Sequence, residues 1–205
     1  MSGLREKQKA ERKLLIRETA LRMFKEKGYK SVKVDDIAAE VGMSVPTLFK
    51  YYSSKHELLC EFISDYDPEP IIEKFKSQID MERDDPVNII CELEWRIAYE
   101  ELTSCSPSLW REMMPSLLFG QVEALPEAYI KSNEALIRSL VSFFEEMKAH
   151  GHFASHIDLE VAARYMNDFA HMQMIRLTRT EPLDWKSHRE QVHQVLRMMY
   201  EGMKP

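Results

Sequence analysis

The stretch that most constrains the fold is residues 34–55, VDDIAAEVGMSVPTLFKYYSSK. Three apolar side chains recur at helical spacing ahead of a glycine: Ile37, Ala38 and Val41. Gly42 ends this helix, because glycine enters the left-handed C-terminal geometry without steric cost. The pattern predicts a short helix over Asp35–Val41, followed by a tight turn.

A second helix is predicted from Val45 to about Tyr52. Ser44 suits its N-cap, and we expect the Ser44 hydroxyl to accept a hydrogen bond from the Thr47 backbone N–H. Pro46 lies in the first turn, where its missing N–H costs nothing. Four-residue spacing turns Leu48 and Tyr52 inward and leaves a polar face outward: Thr47, Lys50 and Tyr51. Two short helices joined in this way describe a helix-turn-helix reader of DNA.

Several fixed spacings between about Lys9 and Leu59 resemble the N-terminal signature of TetR-type transcriptional regulators. The residues that carry this resemblance are Ala20-Leu21-Arg22-Met23-Phe24, Gly28-Tyr29, Asp36-Ile37-Ala38, Val41-Gly42, Ser44, Thr47-Leu48-Phe49 and Lys55. The resemblance implies an all-α fold, with an N-terminal three-helix helix-turn-helix DNA-binding domain and a larger C-terminal helical domain for ligand binding and dimerisation. We therefore expect a flexible arm over 1–8, the DNA-binding domain over 9–53, and the effector-binding and dimerisation domain over 54–205.

The charge distribution agrees with this division. Residues 1–60 contain 13 Lys and Arg against 8 Asp and Glu, a balance of +5, within a chain whose formal charge is −6. Residues 61–205 therefore carry −11. The basic end suits DNA phosphates, while the acidic remainder suits another role.

The resemblance also assigns DNA contacts. Lys33 stands near the place where the family usually has a Thr or Ser pair. Phe49 replaces a tyrosine that usually donates a hydrogen bond to a phosphate. We therefore expect Lys50 and Tyr51 to make the phosphate contact instead. Contacts with base edges are assigned to polar side chains of this set, and contacts with thymine methyl groups to two apolar side chains. The predicted DNA-binding set is Lys33, Ser44, Val45, Pro46, Thr47, Lys50, Tyr51 and Lys55.

The rest of the chain reads as helices separated by breakers. We expect a fourth helix over Ser54–Tyr66 and a short segment over Ile71–Ile79. Longer helices follow, one opened by Asp84-Asp85-Pro86, one opened by Ser106-Pro107 and containing Pro115, and one from about Pro126 to His150. The last two run from Asp158 to about Thr180 and from Trp185 to Met203.

Apolar and aromatic residues of these helices suit a core, and they also suit an effector cavity, which the resemblance favours. The predicted ligand-binding residues are Trp95, Tyr99, Trp110, Met113, Met114, Phe119, Phe143, Met147 and His171. Arg96 and His171 are the polar groups considered for orienting a ligand. Their scarcity favours a largely apolar effector.

The last two helices form the dimer interface in the fold that the resemblance implies, as a four-helix bundle between two subunits. The side chains predicted to be exposed there are Met166, Met172, Met174, Val192, Val195, Met198 and Met199. A two-fold dimer would present its two reading helices to a palindromic operator.

Other kinds of site have little support in the sequence. His150, His152 and His156 cluster without a cysteine or carboxylate at ligand spacing, so we expect no metal, no cofactor and no catalytic set. Three scattered cysteines and no membrane-spanning run indicate a reduced, cytoplasmic protein without membrane contact.

These patterns predict a homodimeric transcriptional repressor that binds double-stranded DNA and is released by a small apolar effector. Two alternatives stay open. One is a ligand-responsive helical interaction protein that does not read DNA sequence. The other is a small all-α enzyme that uses the apolar cavity.

Overall fold

The computed structural model describes residues 2–61, 67–119 and 127–205, apart from the side chains of Ser2, Gly3, Ser116, Leu118, Phe119 and Ala128. The described residues form helices and no strand, so the predicted all-α class is confirmed. The helices are α1 Ser2–Lys27, α2 Val34–Glu40, α3 Val45–Leu48, α4 Lys55–Cys60, α5 Glu69–Lys76, α6 Pro86–Ser104, α7 Pro107–Phe119, α8 Glu127–Ala149, α9 Leu159–Leu177 and α10 Trp185–Glu201. In this part of the chain no helix is long and apolar enough to cross a membrane.

The chain divides into two compact units. The N-terminal unit comprises residues 1–66 and 105–131, and the C-terminal unit comprises residues 67–104 and 132–205. Residues 105–131, which the sequence predicted to belong with the effector domain, thus group with the N-terminal helices.

In the N-terminal unit, α1 packs against α2 and α4, and α4 packs against α7. Four apolar side chains of α1 are buried, namely Ile16, Ala20, Met23 and Phe24. Four inward side chains of the helix-turn-helix are buried as well: Ile37, Ala38, Leu48 and Tyr52. Gly28 ends α1 at φ 79°, and Gly42 follows α2 at φ 69°, as the breaker pattern predicted.

The expected flexible arm is different in the structure. Helix α1 begins at Ser2, so residues 2–8 continue the helix. The cations from Lys7 to Lys13 therefore lie inside α1 rather than at its N-terminus, where the helix dipole would disfavour them. Lys13 is engaged within the unit, since its Nζ lies 3.6 Å from a carboxylate oxygen of Glu61 and 5.1 Å from the centre of the Tyr52 ring.

In the C-terminal unit, α6 packs against α10, α9 and α5, and α10 packs against α9. The long helices begin and end where local signals indicated. The Asp158 carboxylate caps α9 by accepting from the backbone N–H groups of Glu160 and Val161, at 3.0 and 3.1 Å. Gly151 ends the segment after α8 at φ 81°.

Candidate functional site

The second helix of the helix-turn-helix is shorter than predicted, and its N-terminus is capped differently. Helix α3 ends at Leu48 and continues as tighter turns, in which the Lys50 N–H donates to Thr47 C=O at 3.2 Å. The Ser44 hydroxyl pairs with the Thr47 hydroxyl at 2.9 Å. The Thr47 N–H donates to the Ser44 carbonyl instead, so the predicted side-chain cap was wrong. Both hydroxyls keep further hydrogen-bonding capacity toward the outside.

The start of α2 is capped by a carboxylate, because this chain lacks the Thr or Ser pair that the family usually has there. The Lys33 side chain accepts nothing, because an ammonium has no acceptor. The Asp36 carboxylate instead accepts from the Lys33 backbone N–H at 2.9 Å. This holds the Lys33 backbone while its side chain stays exposed. An acidic residue three positions into the helix was the sequence signal for this cap.

The predicted DNA-binding residues differ in exposure. Lys33, Ser44, Pro46 and Lys50 are exposed, whereas the others are half-buried: Val45, Thr47, Tyr51 and Lys55. Phe49 is exposed as well, and its side chain has no hydrogen-bond donor. The eight predicted residues thus all keep accessible surface, on or beside α3 and at the starts of α2 and α4.

Several cations of this unit are paired inside it. Arg22 bridges Glu26 and Glu40 at 3.3 and 2.8 Å, and Lys30 lies 2.9 Å from a carboxylate oxygen of Glu112. Among the described residues, no carboxylate lies within 4.0 Å of the Lys33 or Lys50 ammonium. These two charges are therefore available to an external anion.

Lys55, at the first position of α4, is held by aromatic rings. Its Nζ lies 4.1 Å from the centre of the Tyr29 ring, which packs edge-on against Phe24 at 5.2 Å. Burial lowers the pKa of Lys55, and the Glu112 charge opposes that change. The cation–π contact fixes the side chain at the helix start.

The C-terminal unit contains a cavity of about 50 Å³ between α6, α8, α9 and α10. Its lining is apolar apart from four polar side chains, Glu94, Glu101, Asn167 and His171. Burial, aided by the Glu94 charge, raises the pKa of Glu101 to about 8. Burial also lowers the pKa of His171 to about 4, so its imidazole is neutral at pH 7. The cavity therefore presents acids and neutral hydrogen-bonding groups within an apolar wall.

Of the eight predicted ligand-binding side chains that the structure describes, His171 alone lines this cavity. Trp95 and Tyr99 form an aromatic cluster with Trp185, with ring centres 5.4 to 6.5 Å apart, and Tyr99 is 46% exposed. Phe143 and Met147 are completely buried in the core of the C-terminal unit. Trp110, Met113 and Met114 are buried in the N-terminal unit, and the Phe119 side chain lies outside the described residues.

Arg96 does not reach the cavity either. Its Nε donates to Glu92 at 3.1 Å, and its guanidinium lies 5.0 Å from the Phe75 ring centre. The sequence analysis missed Glu94 and Glu101, although a signal was present. These acids continue the apolar stripe of α6 at positions 90, 93, 97 and 98, where a solvent-facing acid is not expected.

The predicted dimer face needs correction. Met166, Met174 and Val192 are at most 6% exposed within one chain, because they lie on the inward faces of α9 and α10. Met172 is 43% exposed, and Val195 and Met199 are half-buried. Met198 is exposed, as predicted, and two further apolar side chains of α9 are exposed as well: Val161 and Tyr165.

Two of the three clustered histidines, His150 and His152, are engaged by backbone carbonyls. The His150 Nδ1–H donates to Glu146 C=O at 2.8 Å, and the His152 Nε2–H donates to Met81 C=O at 2.5 Å. Among the described residues, no group of three His, Cys, Asp or Glu side chains has an arrangement suited to a metal ion.

Comparisons with known proteins place the N-terminal pattern in a family. Residues 16–62 match the sequence model described as bacterial regulatory proteins, tetR family. A 56-residue stretch is 41% identical to the uncharacterized HTH-type transcriptional regulator YuxN of Bacillus subtilis. That stretch covers 27% of this chain and 19% of YuxN, so it compares only a small part of the relative.

The fold over most of the chain is shared with solved structures. FadR of Thermus thermophilus, a TetR-family repressor crystallised with lauroyl-CoA, superposes with a TM-score of 0.68 at 20% identity, over 90% of this chain and 92% of FadR. A TetR-family regulator from Pectobacterium atrosepticum superposes with a TM-score of 0.66 at 15% identity, over 96% of both chains. At these identities the likeness concerns the fold.

Proposed function

Since the chain belongs to the tetR family of bacterial regulatory proteins, we propose that it is a homodimeric repressor that leaves a palindromic operator when a largely apolar molecule binds. The observation that carries the DNA-binding part is the surface of α2 and α3. There the ammonium groups of Lys33 and Lys50 are exposed, and no described carboxylate lies within 4.0 Å of them. Several other cations of the same unit, among them Arg22 and Lys30, are paired with carboxylates inside it.

The side chains around these lysines suit the two tasks of a DNA reader. Phosphate contacts position a protein, and base-edge contacts specify the sequence. Lys33 and Lys55 lie at the starts of α2 and α4, and their ammonium groups can contact DNA phosphates there. Ser44, Thr47 and Lys50 lie on or beside α3 and present hydroxyl and ammonium groups to base edges.

The cavity of the C-terminal unit supports the effector part of the proposal. Its wall is mostly apolar, and it lies among four helices whose packing a ligand would change. FadR, with the same fold, was crystallised with lauroyl-CoA, which is consistent with an effector that carries an apolar chain. By linkage, the effector weakens DNA binding by the same factor as DNA weakens effector binding.

Selection of bound duplexes from a random pool tests DNA reading directly. We expect the enriched duplexes to share a two-fold-symmetric sequence and to bind more tightly than scrambled versions of the same length. Their affinity should fall by roughly 10³-fold between about 50 and 200 mM salt, because several phosphate contacts release counterions. Equal affinity for enriched and scrambled duplexes would favour the interaction protein without sequence reading.

The mass of the free protein tests the dimer. Light scattering after gel filtration should give twice the chain mass of 24.1 kDa. Because the exposed apolar side chains of α9 and α10 include Val161, Tyr165 and Met198, a Tyr165→Glu substitution should favour the monomer. A monomeric wild-type protein would contradict the two-fold arrangement on DNA.

A further inference from the structure

We propose that the cavity of the C-terminal unit selects an amphiphilic organic cation, with an amine or ammonium head group on an apolar body. This inference rests on the proposed role of the cavity as the effector site. It names the charge of the ligand, which the family and the neighbouring structures leave undetermined for this chain.

The first observation is a buried carboxylate oxygen without a hydrogen bond. The Glu94 side chain lines the cavity and is 10% exposed. The His188 Nε2 lies 3.3 Å from both Glu94 oxygens, but its hydrogen-bond geometry suits only Oε2. Oε1 is fully buried and accepts no hydrogen bond from the described residues. A buried acceptor left unsatisfied is costly, so a donor that enters the cavity and reaches Oε1 would stabilise the bound state.

The second observation is a second acid on the same face of α6. Glu101 follows Glu94 by seven residues, or two helical turns, and also lines the cavity. It is a buried charged residue type within an apolar helix face. Its raised pKa of about 8 has burial as its larger cause and the Glu94 charge as the second. A ligand cation offsets both causes, because it supplies the opposite charge in a region of low dielectric.

The same lining disfavours an anion. Among the described residues that line the cavity there is no lysine or arginine. The imidazole of His171 is neutral at pH 7, since burial lowers its pKa to about 4. Arg189 of α10 donates to Glu92 at 2.8 Å, and Arg96 also pairs with Glu92. A carboxylate or phosphate head group would therefore meet two acids and no lysine or arginine among the described lining residues.

The rest of the wall disfavours a small hydrophilic cation. Twelve of the sixteen lining side chains are apolar, including Phe144 and Phe169, whose rings suit an ammonium group or an alkyl chain. A cavity of about 50 Å³ accommodates a compact head group, and a longer body requires the surrounding side chains to move. The arrangement thus fits an amine with an apolar tail.

Isothermal titration calorimetry with matched eight-carbon probes tests the charge preference. Octylammonium, octanoate and octan-1-ol share one chain and differ in the head group, and all are used below their aggregation concentrations. At pH 7 we expect one octylammonium per chain, bound at least about tenfold more tightly than octanoate or octanol, as for one charge-assisted hydrogen bond. Tighter binding of octanoate or octanol would overturn the proposal, and so would the absence of saturable octylammonium binding.

Isosteric variants separate the cavity acids from the general acidity of the chain. Glu94→Gln and Glu101→Gln should each reduce the octylammonium preference, and the double variant should reduce it to about threefold or less. Glu100→Gln is the matched control, because Glu100 is the exposed neighbour of Glu101 and its loss changes the net charge equally. If Glu100→Gln lowered the affinity as much as the cavity variants, the attraction would be non-specific and the proposal would fall. The comparison of the three probes on the wild-type protein stands even if a variant fails to fold.

A parallel DNA assay distinguishes this inference from the proposed function. The same octylammonium titration is repeated with the protein on its selected duplex, followed by fluorescence anisotropy. Cation-selective binding that releases the duplex supports both the ligand class and the repressor function. Cation-selective binding without sequence-specific DNA binding supports the ligand class and contradicts the repressor function. Specific DNA binding with an octanoate preference supports the repressor and overturns the ligand class.

Discussion

The helix-turn-helix surface and the cavity use charge in opposite ways. On the surface, Lys33 and Lys50 stand in water, where a charge costs the folded state little and remains available to an external anion. In the cavity, Glu94 and Glu101 are removed from water, where the ionised form is expensive unless an opposite charge is present. A substitution of a surface cation should therefore change binding with little change in stability. A substitution of a cavity acid should change stability in a pH-dependent way.

The cavity should show the largest stability effect. The folded-state pKa of Glu101 is raised from 4.5 to about 8, so its contribution is fully present below pH 4.5 and is lost as the pH rises through 8. Glu101→Gln has no such loss. Relative to the wild type, its free energy of unfolding should rise by about 1.4 kcal/mol per pH unit within this window, for a total of a few kcal/mol. Urea unfolding at pH 5, 7 and 9 measures the difference.

The control for this prediction is Glu100→Gln. Glu100 is exposed on the same helix, so its substitution should leave the difference from the wild type nearly constant between pH 5 and 9. His171 affects the pH dependence of stability in the opposite direction, because its lowered pKa removes stability as the pH falls from 6.5 toward 4. The Glu101→Gln comparison cancels that contribution, as both proteins keep His171. A pH-independent difference for Glu101→Gln would show that the carboxyl is not buried as described.

The part of the molecule that the sequence predicted well is the part fixed by local interactions. Gly28 and Gly42 have positive φ angles, and Asp158 caps α9, each within a few residues of the chain. The cavity lining instead depends on which faces of α6, α8, α9 and α10 oppose one another. Trp95 and Tyr99 were predicted to line a ligand pocket, yet their ring centres lie 6.5 and 5.7 Å from that of Trp185, and Tyr99 is 46% exposed. Periodicity defines a helix face, but it does not name the partner of that face.

Lys55 should show an intermediate effect, because it is a surface cation that also packs. Its Nζ lies 4.1 Å from the centre of the Tyr29 ring. Lys55→Ala should destabilise the protein by about 1 kcal/mol through loss of the cation–π contact and of the packed side-chain stem. It should also weaken all duplexes alike, because a phosphate contact carries no sequence information. Urea unfolding and fluorescence anisotropy on enriched and scrambled duplexes measure the two effects.

Lys55→Arg is the comparison variant, since it keeps the charge and can stack on the same ring. It should retain most of the stability and most of the non-specific affinity. If Lys55→Ala weakened DNA binding while Lys55→Arg weakened it equally, the contact would depend on lysine geometry rather than on charge. If Lys55→Ala left the free energy of unfolding unchanged, the aromatic contact would contribute nothing to the folded state.

Lys50 should show the smallest stability effect. Its side chain is exposed, and no described carboxylate lies within 4.0 Å of its ammonium, so Lys50→Ala should change the free energy of unfolding by less than about 0.5 kcal/mol. The affinity for the enriched duplex should nevertheless fall by about 1–3 kcal/mol, with a smaller loss on scrambled duplexes, if the ammonium contacts a base edge. Lys186→Ala, an exposed lysine on α10, provides the matched loss of charge and should leave both duplexes unaffected. An equal loss on both duplexes would reassign Lys50 to the DNA backbone, and no loss on either would place the reading surface elsewhere.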